Sequence, residues 1–327
     1  MSELRRDRSC GRQTIVAPDR ARRPHRPGGD AAGCPFCPGN EAALPPILAE
    51  TPGPTPPGWR TRVVANKYPL LTPTAGGRVA REGPFTRRPG RGRHEVIIEH
   101  PDHHGDLATL PPEAVAAVIA TWRDRAAAAL AAPGVKSVIV FRNHGAEAGA
   151  SLGHPHSQLV AMTAVPPAVR ARAAAARRHY RREGQCLVCA RIAQERAAGA
   201  RLVADAGGFV AWVPFAPAAP FELWLAPRRH QARFAAIAPD EIKGLAALLG
   251  RLLAAYRHRL DDPEYNLVVN DAPRGHAAAP ALHWWLGIVP RRGRPAGFEL
   301  GSGVAVTPSR PEDDAALLAA YLASASA

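Results

Sequence analysis

Short apolar stretches recur along the chain in an order that each half of the sequence repeats. In the first half, strand-like segments are predicted over 60–66 (RTRVVAN), 94–100 (HEVIIEH), 136–143 and 154–162. A helix is predicted over 111–132, where a proline and a glutamate stand in the first turn. The first half therefore predicts a helix inserted into a series of strands.

The second half gives the same order of signals. Strands are predicted over 208–215 and 221–227, a helix over 238–260, and two closing strands over 265–270 and 283–290. The predicted fold class is α+β, with two tandem halves, each a meander-like antiparallel sheet with packed helices. The halves are expected to lie side by side.

We place the boundary between the halves after residue 170, so that the N-terminal half is 1–170 and the C-terminal half is 171–327. A basic segment over 166–185 is predicted as a connecting helix. Aligning Pro112 with Pro239 brings the histidines of the two halves into register. Residue identity between the halves is low, so the repeat is one of pattern.

Charge changes this picture little. The formal net charge is +14, but lysine contributes only three of the 42 basic residues, and the arginines are spread through alanine- and proline-rich segments. No recognisable nucleic-acid module accompanies them, so we expect no nucleic-acid partner and favour phosphorylated small molecules. The sequence has no apolar run of membrane-spanning length and no signal peptide, which predicts a cytoplasmic protein without membrane contact.

Four of the five cysteines form two C-x-x-C pairs, CPFC and CLVC, at corresponding places in the halves. Each pair with two later histidines would give zinc a tetrahedral Cys2His2 shell. The predicted ligands are Cys34, Cys37, His103 and His154 in the first half and Cys186, Cys189, His230 and His283 in the second. The alternative is that these are partly buried thiols and ordinary core histidines. With four protein ligands each, both sites are expected to be structural.

The stretch GHPHSQ places a second histidine, His156, two residues after the proposed ligand His154. Residues two apart on a strand point to the same face, so His156 would stand beside the metal without a cysteine pair to serve. An imidazole whose far nitrogen is fixed can act as a nucleophile. The second half has Trp285 at the matching position, so only the first half can host this chemistry.

Five motifs then point to a known family: GASLGHPHSQ, CPFCPGNE, HPDHHGDL, VAPDRARRP and PAGFELGSG. In combination and in this order they resemble the galactose-1-phosphate uridylyltransferase family, a duplicated branch of the histidine-triad superfamily. The resemblance runs from about residue 10 to about residue 315 and so covers nearly the whole chain.

The resemblance implies a ping-pong reaction. His156 would attack the α-phosphorus of UDP-glucose, and the uridylyl-histidine intermediate would pass its nucleotidyl group to a hexose 1-phosphate. Gln158 matches the family's glutamine that contacts the phosphoryl oxygen. The resemblance also implies a homodimer and further substrate contacts, at Arg20, Arg23, Asn66, Asn143 and Ser151.

The sequence also departs from the family. Trp285, Gly287 and Asn270 stand where some relatives carry ligands of an additional iron-type site, so that site is expected to be absent. The second C-x-x-C resembles the two-zinc members, which include an enzyme that acts on ADP-glucose by phosphorolysis. Two alternatives to the uridylyltransferase therefore stay open: an ADP-sugar phosphorylase, and a non-catalytic nucleotide-binding zinc protein.

Overall fold

The computed structural model describes residues 2–10, 12–23, 31, 33–54, 58–275 and 279–324. Its strands are β1 (Glu3–Asp7), β2 (Gln13–Val16), β3 (Ile47–Pro52), β4 (Trp59–Ala65), β5 (Ala80–Glu82), β6 (Phe85–Pro89), β7 (Gly92–Ile98), β8 (Ser137–His144), β9 (His156–Met162), β10 (Leu202–Ala206), β11 (Phe209–Trp212), β12 (Leu223–Pro227), β13 (Tyr265–Asn270) and β14 (Trp285–Pro290). The helices are α1 (Pro112–Ala131), α2 (Pro167–Glu183), α3 (Leu187–Ala198), α4 (Pro239–Arg259), α5 (Gly297–Ser302) and α6 (Pro311–Ser324).

Ten of the strands form one continuous antiparallel sheet in the order β10-β11-β12-β14-β13-β8-β9-β7-β4-β3. The first five and the last five strands of this order have the same internal arrangement, related by the β8–β13 pairing at the middle. The predicted α+β class and the tandem halves are confirmed. The half-sheets also share backbone hydrogen bonds, because β8 and β13 pair directly, with Asn143 opposite Asn266.

Two details differ from the predicted meander-like halves. In each half the last strand in sequence inserts between its two predecessors, so β9 lies between β7 and β8, and β14 lies between β12 and β13. In addition, both closing strands begin two residues later than predicted, at His156 and Trp285. His154 and His283 therefore precede their strands rather than lying on them.

The sheet has two differently used faces. On the first, which we call the helix face, α1 and α4 pack over alternate strand residues such as Val63, Ile97 and Leu159 in one continuous core. On the opposite face, which we call the site face, smaller clusters form around each C-x-x-C pair. Because strand side chains alternate, His156 and Gln158 point to the site face and Ser157 to the helix face, where Trp122 Nε1 donates to its hydroxyl at 2.6 Å.

A second sheet of four strands, in the order β2-β1-β6-β5, was not predicted from the sequence. It joins the N-terminal segment to the hairpin over 80–89, and its strands carry many arginines and few apolar residues. Along the part of the chain that the structure describes, none of the helices has the length and apolar character needed to cross a bilayer.

Candidate active site

A pocket of about 340 Å³ opens on the site face of the first half. Its apolar wall includes Phe36, Leu44 and Val64, and its polar groups come from several elements. Five of the predicted site residues line it together: Arg23, Asn66, Ser151, His156 and Gln158. An apolar slot with a few convergent polar groups is the usual form of a small-molecule site.

His156 lies at the start of β9 with its side chain almost fully buried. Its Nδ1 is 2.8 Å from the backbone carbonyl oxygen of His154. A carbonyl oxygen only accepts, so Nδ1 carries the proton and Nε2 keeps a free electron pair. Burial, together with the positive charges of Arg142 and Arg23, lowers the pKa of His156 to about 4, which keeps the ring neutral at physiological pH. The residue thus has the protonation state that a nucleophile requires.

Gln158 follows two residues later on the same face and contacts a residue that the sequence analysis did not assign. Its Oε1 lies 2.9 Å from Nε2 of His94, on the neighbouring strand β7. Asn66 also approaches this ring, with Nδ2 at 3.2 Å from the same nitrogen. A buried histidine therefore lies behind the two amides that line the pocket.

The two remaining predicted contacts lie next to the pocket rather than on its wall. Arg20 donates to the backbone oxygen of Tyr68 at 2.6 Å. Asn143 accepts a hydrogen bond from Asn266 Nδ2 at 2.9 Å and lines a neighbouring cavity of about 480 Å³. His156 borders both spaces, so they meet at the candidate nucleophile.

The four ligands predicted for the first metal site converge beside His156. The ligand atoms of Cys34, Cys37, His103 and His154 all lie within 4.8 Å of one another. The Nδ1 of His154 is 3.6 Å from Cys34 Sγ and 3.5 Å from Cys37 Sγ, and His103 Nδ1 is 3.3 Å from Cys37 Sγ. Tetrahedral zinc with ordinary bond lengths separates a thiolate sulfur from an imidazole nitrogen by roughly 3.6 Å. The residues fit such a metal.

The far nitrogen of His154 is also held as a metal ligand would need. Its Nε2 is 2.8 Å from the backbone oxygen of His100, which fixes the proton there and leaves Nδ1 free to ligate. The carbonyl of His154 is the group that orients His156. One residue thus links the metal group to the candidate nucleophile.

The second predicted group converges in the same way. Cys186, Cys189, His230 and His283 lie within 4.8 Å of one another, and His283 Nε2 is 3.1 Å from the Pro227 carbonyl oxygen. Its C-x-x-C differs in setting, because Cys186 is the N-cap of α3. This helix was not predicted from the sequence. A helix N-terminus favours the thiolate form.

In the second half the space that corresponds to the nucleophile pocket is reduced to a cavity of about 190 Å³ beside stacked side chains. Trp285 stacks on Trp224 with ring centroids 5.2 Å apart, and the guanidinium groups of Arg172 and Arg191 lie over the outer faces. Gly287 occupies the position that matches Gln158, and a Cβ there would lie 3.3 Å from Asn270 Nδ2. This half keeps the metal ligands and has neither the imidazole nor the glutamine.

A buried ionic network under the site joins the two halves and was also missed from the sequence. Arg142 on β8 donates to Glu99 at 2.9 Å, to Asp106 and to the Tyr265 hydroxyl of the second half. Although burial opposes it, the charge of Arg142 holds the pKa of Asp106 well below its usual range. A polar residue at an inward position of a strand was the available signal for Arg142 and for His94, but it did not identify their partners.

With this geometry established, comparison with known proteins identifies the family. Residues 2–166 match the family described as galactose-1-phosphate uridyl transferase, N-terminal domain. An ADP-glucose phosphorylase of Arabidopsis thaliana is 32% identical over 97% of this chain and 92% of its own length. The chain belongs to the galactose-1-phosphate uridyl transferase family.

Other family members agree with this assignment. A galactose-1-phosphate uridylyltransferase of Thermotoga maritima is 28% identical over 81% of this chain and 78% of its own. The crystal structure of the Arabidopsis thaliana ADP-glucose phosphorylase with bound ADP-glucose superimposes with a TM-score of 0.79, at 31% identity and 98% coverage of both chains. A uridylyltransferase mutant structure gives 0.84, at 29% identity and 99% and 98% coverage. Like these relatives, the chain is a nucleotidyltransferase-type enzyme.

Proposed function

We propose that the chain transfers a nucleotidyl group from a nucleoside diphosphate sugar to a phosphate-bearing acceptor through a covalent intermediate on His156. The observation that carries this proposal is the His156 ring itself. It is neutral, its Nδ1 proton is engaged by the His154 carbonyl, and it lies where two cavities meet.

In the first step the electron pair of His156 Nε2 forms a bond to the α-phosphorus. The bond from that phosphorus to the bridging oxygen breaks, and the sugar 1-phosphate leaves with the electron pair. The ring becomes a cationic imidazolium, which the Nδ1–H bond to the His154 carbonyl stabilises. Gln158 and Arg23 line the pocket where the phosphoryl oxygens would lie and can donate to them.

In the second step an oxygen of the acceptor phosphate attacks the same phosphorus. The phosphorus–nitrogen bond breaks, its electron pair returns to Nε2, and the free enzyme is restored. The apolar wall with Phe36, Leu44 and Val64 would hold the nucleoside. The 480 Å³ cavity on the other side of His156 would hold the departing or incoming sugar phosphate.

Zn²⁺ is the metal we propose for both Cys2His2 groups, because two thiolates and two imidazoles at tetrahedral spacing match its preferences. When bound, the ion would supply structural crosslinking, since each group already offers four protein ligands. In the first half this would fix His154 and, through its carbonyl, the orientation of His156.

The first candidate donor is UDP-glucose with a hexose 1-phosphate acceptor, as in the galactose-1-phosphate uridylyltransferases of Thermotoga maritima and Streptomyces lividans. The second is ADP-glucose with inorganic phosphate as acceptor. It is favoured by the Arabidopsis thaliana ADP-glucose phosphorylase, whose similarity spans 97% of this chain. Both candidates use His156 in the same way and differ in the base and the acceptor.

Intact mass spectrometry after mixing with UDP-glucose or ADP-glucose tests the proposal. The wild type is expected to gain one uridylyl or one adenylyl group, which identifies the base. His156→Ala should gain neither, whereas His258→Ala, a change on the helix face, should behave as the wild type. Chasing the adduct with galactose 1-phosphate or phosphate then identifies the acceptor. If the wild type forms no adduct with either donor, the alternative of a non-catalytic nucleotide-binding protein is favoured.

A further inference from the structure

His94 lies directly behind Gln158 and has no role in the steps above. It is on β7, opposite Val160 of β9, and its side chain is buried at 4% exposure. A polar ring at such a position has to be satisfied by specific partners, because an unpaired buried polar group is costly. Each of its two ring nitrogens has a partner within hydrogen-bond distance.

The backbone decides which ring nitrogen of His94 carries the proton. The amide N–H of Leu70 points at Nδ1 from 3.0 Å, and an amide N–H can only donate. Nδ1 must therefore be the unprotonated nitrogen, and the hydrogen of the neutral ring lies on Nε2. Nε2 then donates to Gln158 Oε1 at 2.9 Å.

The opposite arrangement fits these contacts less well. If Nε2 were unprotonated, it could accept from Asn66 Nδ2 at 3.2 Å and from a reversed Gln158 amide. Nδ1 would then carry a hydrogen that faces the hydrogen of Leu70, with two donors 3.0 Å apart. Asn66 is fixed with its Oδ1 accepting from the Tyr68 amide at 2.8 Å. With the hydrogen on His94 Nε2, Asn66 Nδ2 makes no hydrogen bond to the ring, and its approach of 3.2 Å is longer than the 3.0 Å contact of the Leu70 amide.

The ring also stays neutral. Burial, together with the charges of Arg20 and Arg23, lowers the pKa of His94 to about 4. A second proton on Nδ1 would meet the Leu70 amide, so the neutral form with the Nε2 hydrogen is the one that fits. This form fixes Gln158 in a single orientation, with its oxygen toward His94 and its NH2 group turned toward the pocket.

The second half supports a joint role for the two residues. Val96 lies opposite Gln158 in the first half, and Trp224 lies opposite Gly287 in the second. By this register His94 corresponds to Glu222, which accepts from Trp224 Nε1 at 2.7 Å. Both members of the His94–Gln158 pair are therefore replaced in the half that has no nucleophile.

We propose that His94 is a positioning residue for nucleotidyl transfer: through its Nε2 hydrogen it holds the Gln158 amide with the NH2 group directed at the α-phosphoryl oxygens. The inference rests on the proposed function, and Gln158 is the group that touches substrate. Without His94 the amide could rotate and present its oxygen, an acceptor, to the anionic phosphate.

A double-mutant cycle tests this arrangement. We expect His94→Leu to slow adduct formation on His156 in single-turnover experiments by about 10- to 100-fold, with a smaller change in donor affinity. His94→Gln, which keeps a donor toward Gln158, should recover most of the rate. In a Gln158→Ala background, His94→Leu should cost less than about twofold, since its effect acts through Gln158. Glu222→Gln is the matched control and should leave the rate unchanged.

Equal losses from His94→Leu in the two backgrounds would overturn the proposal, as would a wild-type rate in His94→Leu itself. A readout independent of activity is the tautomer, which long-range proton–nitrogen spectra of the histidine rings report. A proton on Nδ1 of His94 would contradict the arrangement even if no donor reacts. Failure of the proposed function is separate, because it appears as a wild type that forms no adduct.

Discussion

The two halves of the sheet have the same arrangement of candidate metal ligands, but the residues around the ligands differ. Around the first group, the residues after the ligand histidine are His156 and Gln158, and a pocket of about 340 Å³ opens between them and the C-x-x-C turn. Around the second, the matching residues are Trp285 and Gly287, and the tryptophan stack borders a smaller cavity of about 190 Å³. The Cys2His2 group thus has the same supporting position in both halves. Whether a half can carry out chemistry depends on the residues two and four positions after its last histidine.

Exchange of the nucleophile position gives the largest expected effect. His156→Ala combined with Trp285→His moves the imidazole at the start of the closing strand to the second half. Because Gly287 and Glu222 supply neither the amide nor its orienting ring, adduct formation should fall by at least about 10⁴-fold relative to the wild type. Intact mass spectrometry with the reactive donor measures it. Recovery of an adduct on residue 285 would show that the halves differ less than the geometry indicates.

Arg142 tests a second asymmetry, because the residue at its place in the second half is Val269 by strand register. Arg142→Val would leave the carboxylates of Glu99 and Asp106 buried without their shared cation. The free energy of unfolding should fall by about 3–5 kcal/mol in urea titrations. The control is replacement of the matching residue, Val269, by alanine. A similar loss of stability in that variant would mean that Arg142 has no special role in the first half.

Removal of a metal ligand separates the two groups by function. Cys34→Ser and Cys186→Ser should each lower the metal content by one equivalent in elemental analysis. Only Cys34→Ser should also slow adduct formation, by about 10- to 100-fold, because the metal group orients His156 through the His154 carbonyl. Equal slowing by both substitutions would mean that the second group also acts on the reaction.

The smallest expected effect is a pH dependence that belongs to the first half. The pKa of His94 is about 4 in the folded protein and about 6.5 in an unfolded chain, so the unfolded state takes up the proton first as the pH falls. Its contribution to stability is present above pH 6.5 and is lost toward pH 4. The stability difference between wild type and His94→Gln should therefore drop by roughly 1 kcal/mol between pH 7.5 and pH 5.5. A constant difference would contradict the buried neutral ring.

The metal groups and the repeat could be predicted from the sequence because each C-x-x-C motif is short and the same set of motifs occurs in both halves. A C-x-x-C turn fixes two ligands by itself, and the two histidines of each half are separated by similar lengths of chain, 51 residues from His103 to His154 and 53 from His230 to His283. The eight ligands that this pattern named converge in the two predicted groups. Eight of the ten strands of the large sheet and the three longest helices were also placed to within about three residues, since apolar patterning determines them. The two edge strands β3 and β10 and the helices α3, α5 and α6 were not predicted.

The remaining features depend on contacts that no local pattern encodes. Nothing in the sequence pairs β8 with β13, and the arginine-rich strands of the small sheet lack an apolar face that would have marked them. His94 and Arg142 look like ordinary polar residues in β segments until Gln158, Glu99 and Tyr265 are brought beside them. Their roles come from pairing register and burial, which become visible only in three dimensions.

The pairing of β8 with β13 also restricts how the molecule can move. Enzymes built from two lobes often open and close like a clamshell about a flexible linker, but here such a motion would break the backbone hydrogen bonds that run across the middle of the sheet. Asn143 and Asn266 meet across that line, beside the cavity that His156 borders. The floor of the site is therefore rigid before any ligand arrives, and adjustment to a substrate falls to the loops above it.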